Sequence, residues 1–212
     1  MGTFNYRDYL QKRIYAVIDP LLLLLLRVGV TPNVVSIMGL VGNGVAAWLF
    51  VAASWTDMGL VCWGGVVILL AGLFDMMDGR LARLGGLSSR FGALLDSTLD
   101  RYSELLTLSG IALLLLRAGD AWLWAAVMAF AAITGSMMVS YVRARAEGLG
   151  IECKVGLMQR PERVVVTAVA AIATGLTADL IWLATGMSVI AVLANVTALW
   201  RILHCRKTLL GL

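Results

Sequence analysis

Charged residues and proline are scarce in this sequence. Lys, Arg, Asp and Glu make up 14% of its 212 residues, hydrophobic residues make up 60%, and there are three prolines. Soluble globular domains carry about 25% charged residues, so the composition excludes that class. It indicates an all-α integral membrane protein without an appended soluble module.

Cysteine is also rare, and its positions exclude two common kinds of site. Cys62, Cys153 and Cys205 show no Cys-x-x-Cys spacing, so neither zinc nor a disulfide framework is indicated. The basic residues are interleaved with apolar stretches instead of gathering on one soluble face. The net charge of +4 therefore does not indicate a nucleic-acid partner.

Six apolar stretches are each near the ~20 residues that a membrane-spanning helix needs. We place these spans at residues 33–54, 58–79, 90–116, 119–143, 161–178 and 181–203. Before them, the amphipathic pattern of residues 1–20 predicts a helix in the membrane interface. The expected architecture is one domain over residues 1–212, with residues 1–30 as the interfacial segment and residues 31–212 as a six-helix bundle.

The basic residues are distributed unevenly across these spans. Of the 17 Lys and Arg residues, all except Arg117 fall on one side, while Asp57, Asp120 and Asp179 mark the links on the other. By the positive-inside rule, the basic side and both termini face the cytoplasm. We therefore expect a multi-pass protein of the cytoplasmic membrane.

Four aspartates interrupt the apolar pattern where the second and third spans meet. Asp75 and Asp78 are three residues apart, and Asp96 and Asp100 are four apart, so each pair lies on one helix face. The Gly- and Ser-rich link of residues 84–89 predicts a turn that folds the helices back antiparallel and gathers the acids. Ionisable groups between membrane spans are costly and usually functional.

Carboxylates this close repel one another unless a cation lies among them. Oxygen ligands without nearby His or Cys favour Mg²⁺ or Mn²⁺ over zinc. Two such ions would polarise a phosphoryl group and hold the attacking and leaving oxygens in line. A divalent-cation carrier is the alternative, although the sequence shows neither the broken helices nor the inverted repeats typical of transporters.

The spacing in this region resembles, without departure, the signature of the CDP-alcohol phosphotransferase family: Asp75-x2-Asp78-Gly79-x2-Ala82-Arg83-x8-Gly92-x3-Asp96-x3-Asp100. The resemblance implies that Asp75, Asp78 and Asp96 hold a divalent metal pair. It makes Asp100 the general base for the acceptor hydroxyl and a further candidate metal ligand. The small residues of the signature would let the cytidine nucleotide lie close to the helices, and Arg83 would bind its nucleotide side.

A second polar group closes the fourth span and opens the fifth. Ser140 and Arg143 share a helix face, while Pro161 suits the first turn of the next helix and places Arg160 and Arg163 near its N-terminus. Guanidinium groups and a helix N-terminus together can bind a phosphate monoester. Ordinary anchoring of the helices on the basic side would also place arginines here.

The resemblance extends to these segments. Residues 140–147 and 160–163 are similar to segments of the phosphatidylinositol-phosphate and archaetidylinositol-phosphate synthases, a branch of that family whose acceptor is inositol 1-phosphate. It implies that Ser140, Arg143, Arg160 and Arg163 bind the acceptor phosphate. Residues 31–36 resemble the branch's CDP-lipid segment, which adds Asn33 and Ser36 to the CDP-lipid contacts, and Ser89 resembles its nucleotide contact.

The resemblance therefore implies an enzyme that transfers a phosphatidyl or archaetidyl group from CDP-diacylglycerol, or an ether-lipid analogue, to inositol 1-phosphate and releases CMP. The same chemistry with glycerol 3-phosphate or another small alcohol, as in a phosphatidylglycerol-phosphate synthase, is the alternative. We also expect the protein to bind two Mg²⁺ or Mn²⁺ ions, to lie in a lipid bilayer and to form a homodimer.

Overall fold

The computed structural model describes residues 18–53 and 57–211, and this part of the chain folds into helices. Residues 18–27 form α1, and six longer helices follow. These are α2 (Pro32–Ala52), α3 (Gly59–Leu84), α4 (Arg90–Arg117), α5 (Leu123–Gly148), α6 (Arg160–Thr177) and α7 (Ile181–Leu210), with a short 3-10 helix at Asp120–Trp122 before α5. Most of the interfacial helix predicted for residues 1–20 lies outside the described residues.

Each of the six predicted apolar stretches coincides with one helix from α2 to α7. Within residues 18–53 and 57–211, four helical stretches are long and apolar enough to cross a membrane: α2, α3, α7 and the stretch formed by the 3-10 helix with α5. Charged side chains account for the difference at α4 and α6; Arg160, Glu162 and Arg163, for example, all lie within the 18 residues of α6. Several helices also run past their predicted ends, as α3 does to Leu84 and α7 to Leu210.

Helix α2 is the common support of the two helices that carry the aspartates. It packs closely against both α3 and α4, whereas α3 and α4 are not among the closely packed helix pairs of the described chain. Helix α6 packs on α3, α5 packs on α4 and α7, and α6 also contacts α7. The predicted hairpin therefore forms, but its two helices stand apart and leave a gap between their polar ends.

The turn between α3 and α4 follows from its glycine and serine residues. Gly86 has a φ of 63°, in the left-handed region that glycine adopts without a steric penalty. Ser89 then caps α4, because its hydroxyl oxygen accepts a hydrogen bond of 2.9 Å from the backbone N–H of Gly92. The direction in which α4 leaves the turn is thus set by local chemistry.

One glycine contact holds α4 close to α2. A side-chain carbon added at Gly110 would lie 2.8 Å from the carbonyl oxygen of Ala47, which is closer than real side chains approach. Small residues allow such close approach between the helices of membrane proteins, where dispersion contacts drive packing. This contact sets the distance between α2 and α4, and so the position of the acids on α4.

Helix α1 packs across the polar end of α3. Leu22 is fully buried in a cluster with Val35 and Leu81. Arg80 also donates two hydrogen bonds to Asp19, from Nε to Oδ1 at 2.9 Å and from Nη2 to Oδ2 at 2.7 Å. The hydrogen bond from Arg80 lowers the pKa of Asp19 below its usual value. Packing and ion pair together hold α1 beside the segment that carries Asp75 and Asp78.

Candidate active site

Three carboxylates meet across the gap between α3 and α4. Asp75 and Asp78 come from successive turns of α3, and Asp96 comes from the first half of α4. One oxygen atom of each lies within 4.8 Å of the others. Asp78 is 5% exposed, so this group combines like charges with burial. Such an oxygen-only set suits a hard divalent cation.

The seven residues expected to contact the CDP-lipid all line a single cavity beside these carboxylates. Asp78 and Asp96 form part of its wall, and the predicted lipid contacts supply much of the rest: Asn33, Ser36, Gly79, Ala82, Arg83, Ser89 and Gly92. Several of them are small, and they therefore leave space for a ligand near the backbone. The arrangement places an open cavity next to a group of carboxylates.

Ser36 has a second role that the sequence did not indicate. Its hydroxyl donates a hydrogen bond to Asp78 Oδ2 at 2.6 Å, from α2 to α3. A hydrogen bond to a carboxylate fixes which oxygen points toward a bound ion, in the way that outer groups orient metal ligands. Ser36 thus contacts both the cavity and one of the candidate metal ligands.

Asp100 lies outside the group of three and faces an arginine from α6. Arg160 Nη1 lies 2.8 Å from Asp100 Oδ1 and 2.6 Å from Asp75 Oδ2, so one guanidinium group joins α3, α4 and α6. Arg101 makes a longer contact of 3.4 Å with Asp100. The predicted role of Arg160 is phosphate binding; in the structure its nearest partners are carboxylates. The predicted metal contact of Asp100 stays a prediction.

The residues expected at the acceptor phosphate lie on two helices. Ser140 is half-buried on α5, and Arg143 is exposed on the same helix, where it pairs with Glu147 at 2.9 Å. Arg160 lies on α6 and lines a cavity together with Arg163. The phosphate contacts of these residues stay predictions.

Arg163 forms a buried ion pair that the sequence did not indicate. Its side chain is 1% exposed and forms a two-pronged ion pair with Glu104, and its Nη1 donates to the carbonyl oxygen of Met158 at 3.0 Å. Glu104 lies 59 residues earlier in the chain, so the local sequence around Pro161 does not reveal this pairing. These contacts use three of the five guanidinium N–H groups, and phosphate binding by Arg163 stays a prediction.

The sequence analysis did not identify two buried charged residues, Glu104 and Arg201. Each has a sequence feature that could have indicated it. Glu104 continues the four-residue spacing of Asp96 and Asp100 along α4. Arg201 lies in the apolar sequence of α7, is 2% exposed, and donates hydrogen bonds to backbone carbonyls of the α5 helix and of the loop before α6. It lies within electrostatic reach of Arg143 and Arg163. A charged residue inside an apolar helix is itself a sign of a functional or paired group.

Comparison with known proteins agrees with this geometry. The sequence model of the CDP-alcohol phosphatidyltransferase family matches residues 29–203. The phosphatidylinositol phosphate synthase of Cutibacterium acnes is 40% identical over 161 residues, which cover 76% of this chain and 74% of that protein. The enzyme of the same name from Mycobacteroides abscessus is 36% identical over 199 residues, covering 90% and 83%.

Solved structures give the same result. The Mycobacterium tuberculosis phosphatidylinositol phosphate synthase with CDP-DAG bound has a TM-score of 0.79 and 32% identity, covering 91% of this chain and 94% of that one. Its complex with manganese and citrate has a TM-score of 0.78 and 33% identity, covering 88% and 87%. The chain belongs to the CDP-alcohol phosphatidyltransferase family.

Proposed function

We propose that this protein transfers the phosphatidyl or archaetidyl group of a CDP-linked lipid to inositol 1-phosphate and releases CMP. One observation carries the proposal: three carboxylate oxygens within 4.8 Å of one another adjoin the cavity that contains all seven expected CDP-lipid contacts. The acceptor is inferred from the relatives, which are phosphatidylinositol phosphate synthases at 32–40% identity.

Asp75, Asp78 and Asp96 would hold the metal. Their spacing and their oxygen-only ligand atoms, with no His or Cys in the group, fit Mg²⁺ or Mn²⁺, and the M. tuberculosis enzyme has been solved with manganese. Two bound ions would neutralise the charge of the diphosphate and polarise the phosphorus that is attacked. Ser36 orients Asp78, and the small residues of the cavity bring the nucleotide close to the carboxylates.

Asp100 would act as the general base. The acceptor hydroxyl oxygen forms a bond to the lipid-bearing phosphorus, the bond from that phosphorus to the CMP oxygen breaks, and the hydroxyl proton passes to Asp100. Arg160 Nη1 holds Asp75 through a hydrogen bond and Asp100 through an ion pair. General-base assistance of this kind contributes about 10²–10⁴ in rate.

The acceptor phosphate would lie between α5 and α6, near Ser140, Arg143, Arg160 and Arg163. Arg160 Nε is buried and has no hydrogen-bond partner within the described residues, so this arginine has a donor left for an anionic ligand. Arg163 would also have a positioning role, because its guanidinium group is paired with Glu104. Its ion pair fixes the start of α6, from which Arg160 projects.

The proposed architecture is one domain of residues 1–212, in which the helices α2 to α7 are six membrane spans. The segment of residues 1–30 would lie in the interface, and the aspartates would face the cytoplasm, on the side that carries most Lys and Arg residues. A homodimer is part of the proposal. The four helical stretches long and apolar enough to span support the membrane assignment.

The test is CMP release from CDP-diacylglycerol by the purified protein with inositol 1-phosphate, free inositol, glycerol 3-phosphate or serine. We expect release with inositol 1-phosphate at least about tenfold faster than with the others, equivalent to 1.4 kcal/mol of discrimination. Preference for glycerol 3-phosphate would refute the proposed acceptor. Divalent-cation flux into liposomes without CDP-lipid would instead support a carrier.

A further inference from the structure

A groove separate from the aspartates runs between the C-terminal parts of α5 and α7. Its volume is about 480 Å³, and none of its lining residues takes part in the cavities around the carboxylates. The walls are mainly apolar and include Met138, Leu149, Ile202 and Leu209. A mainly apolar groove of this volume can receive a hydrocarbon chain.

Two arginines give this groove a charge. Arg145 and Arg206 are the only charged residues among those that line it. Both are exposed, and within residues 18–53 and 57–211 neither forms an ion pair. The neighbouring carboxylates are already paired, since Glu147 contacts Arg143 and Glu152 contacts Lys154. Two guanidinium groups thus stand beside an apolar groove without a carboxylate partner.

We propose that this groove binds an anionic phospholipid, with an acyl chain along the apolar wall and the phosphate between Arg145 and Arg206. Basic pockets between membrane helices bind acidic head groups, and guanidinium groups bind phosphate oxygens through paired hydrogen bonds. A zwitterionic lipid would bring its own cation next to the arginines. The charge of the groove therefore favours an anionic head group.

A second copy of the chain fits the same groove less well. A two-fold interface brings the same surface of both subunits together, so the arginines of one copy would approach those of the other. No acidic residue lines the groove to compensate for this repulsion. Burying unpaired like charges is strongly unfavourable, whereas a lipid phosphate neutralises them.

The experiment is native mass spectrometry of the full chain in detergent, titrated with dioleoyl phosphatidylglycerol or dioleoyl phosphatidylcholine. We expect the wild type to bind phosphatidylglycerol more tightly than phosphatidylcholine. The R145Q/R206Q variant should bind phosphatidylglycerol about tenfold to thirtyfold more weakly than the wild type does, since one basic residue contributes about 1 kcal/mol to such binding. The matched control is K154Q/K207Q, which removes two positive charges outside the groove and should keep the preference.

A second variant tests the apolar wall without changing charge. Met138→Trp fills the groove and should weaken binding of both lipids. The proposal is overturned if R145Q/R206Q keeps the wild-type preference, if K154Q/K207Q loses as much, or if dihexanoyl phosphatidylglycerol binds as tightly as the dioleoyl lipid. A change in subunit number in Met138→Trp, with lipid binding unaltered, would assign the groove to a second copy and also refute the proposal.

Discussion

Arg160 Nη1 lies 2.6 Å from Asp75 Oδ2, which joins residues 85 positions apart in the chain. The same nitrogen lies 2.8 Å from Asp100 Oδ1. A single positive charge is thus shared by a candidate metal ligand and the candidate base. It offsets part of the repulsion among the carboxylates and fixes the side chain of Asp100.

Replacing this arginine should damage catalysis more than stability. We expect Arg160→Gln to lower kcat about 10²–10³-fold, comparable to the loss of one preorganised donor at an active site. CMP release and a thermal melt measure the two effects. Arg101→Gln is the control, because Arg101 lies 3.4 Å from Asp100 and is more exposed. Equal losses in both variants would contradict a specific role for Arg160.

Removing the hydroxyl of Ser36 should weaken metal binding. In Ser36→Ala the buried carboxylate of Asp78 loses its 2.6 Å hydrogen bond. Loss of such an outer contact typically lowers metal affinity about 10–100-fold. Titration of CMP release with Mn²⁺ measures the apparent affinity. Ser97→Ala is the control, since its hydroxyl donates to the carbonyl oxygen of Leu94 in the same helix. Unchanged Mn²⁺ dependence in Ser36→Ala would show that Asp78 does not need this contact.

Filling the cavity should affect binding of the CDP-lipid. A side chain at Gly92 begins 3.0 Å from Ser89 Oγ and 3.5 Å from Asn33 Oδ1. We expect Gly92→Leu to raise the KM for CDP-diacylglycerol about tenfold, a cost of ~1.4 kcal/mol. Gly148→Leu is the control, because nothing lies within 4 Å of the added carbon there. A normal KM in Gly92→Leu would place the nucleotide elsewhere.

The buried ion pair of Glu104 and Arg163 should act through stability. Breaking such a pair by removing one partner costs about 3–5 kcal/mol, because the other charge stays buried. Glu104→Gln and Arg163→Met should each lower the melting temperature in detergent, and the double variant should recover part of the loss. If Arg163→Met melts normally and only raises the KM for the acceptor, Arg163 binds the phosphate after all.

The local part of this site could be predicted from the sequence. The spacing of the aspartates and the Gly86 turn depend on residues within one segment, and the structure gathers Asp75, Asp78 and Asp96 accordingly. The gap between α3 and α4 could not be predicted, because a turn signal fixes a reversal of direction but not the distance between the helices. That distance depends on how both pack against α2.

The different surroundings of Arg160 and Arg163 also could not be predicted from the sequence. Arg160 and Arg163 stand three residues apart at the start of α6, and their local sequence gives no sign of different surroundings. Arg160 reaches carboxylates on α3 and α4, whereas Arg163 is buried against Glu104. Each partner lies far away in the chain, so only the tertiary fold separates the two roles.

We propose that three carboxylates hold a metal for CMP release while a fourth removes the proton. The most direct measurement is Mn²⁺ binding by electron paramagnetic resonance, combined with CMP release, for the wild type, Asp96→Asn and Asp100→Asn. We predict that Asp96→Asn loses both, and that Asp100→Asn binds Mn²⁺ but turns over about 10²–10⁴-fold more slowly. Wild-type Mn²⁺ binding by Asp96→Asn, or near-normal CMP release by Asp100→Asn, would contradict the account.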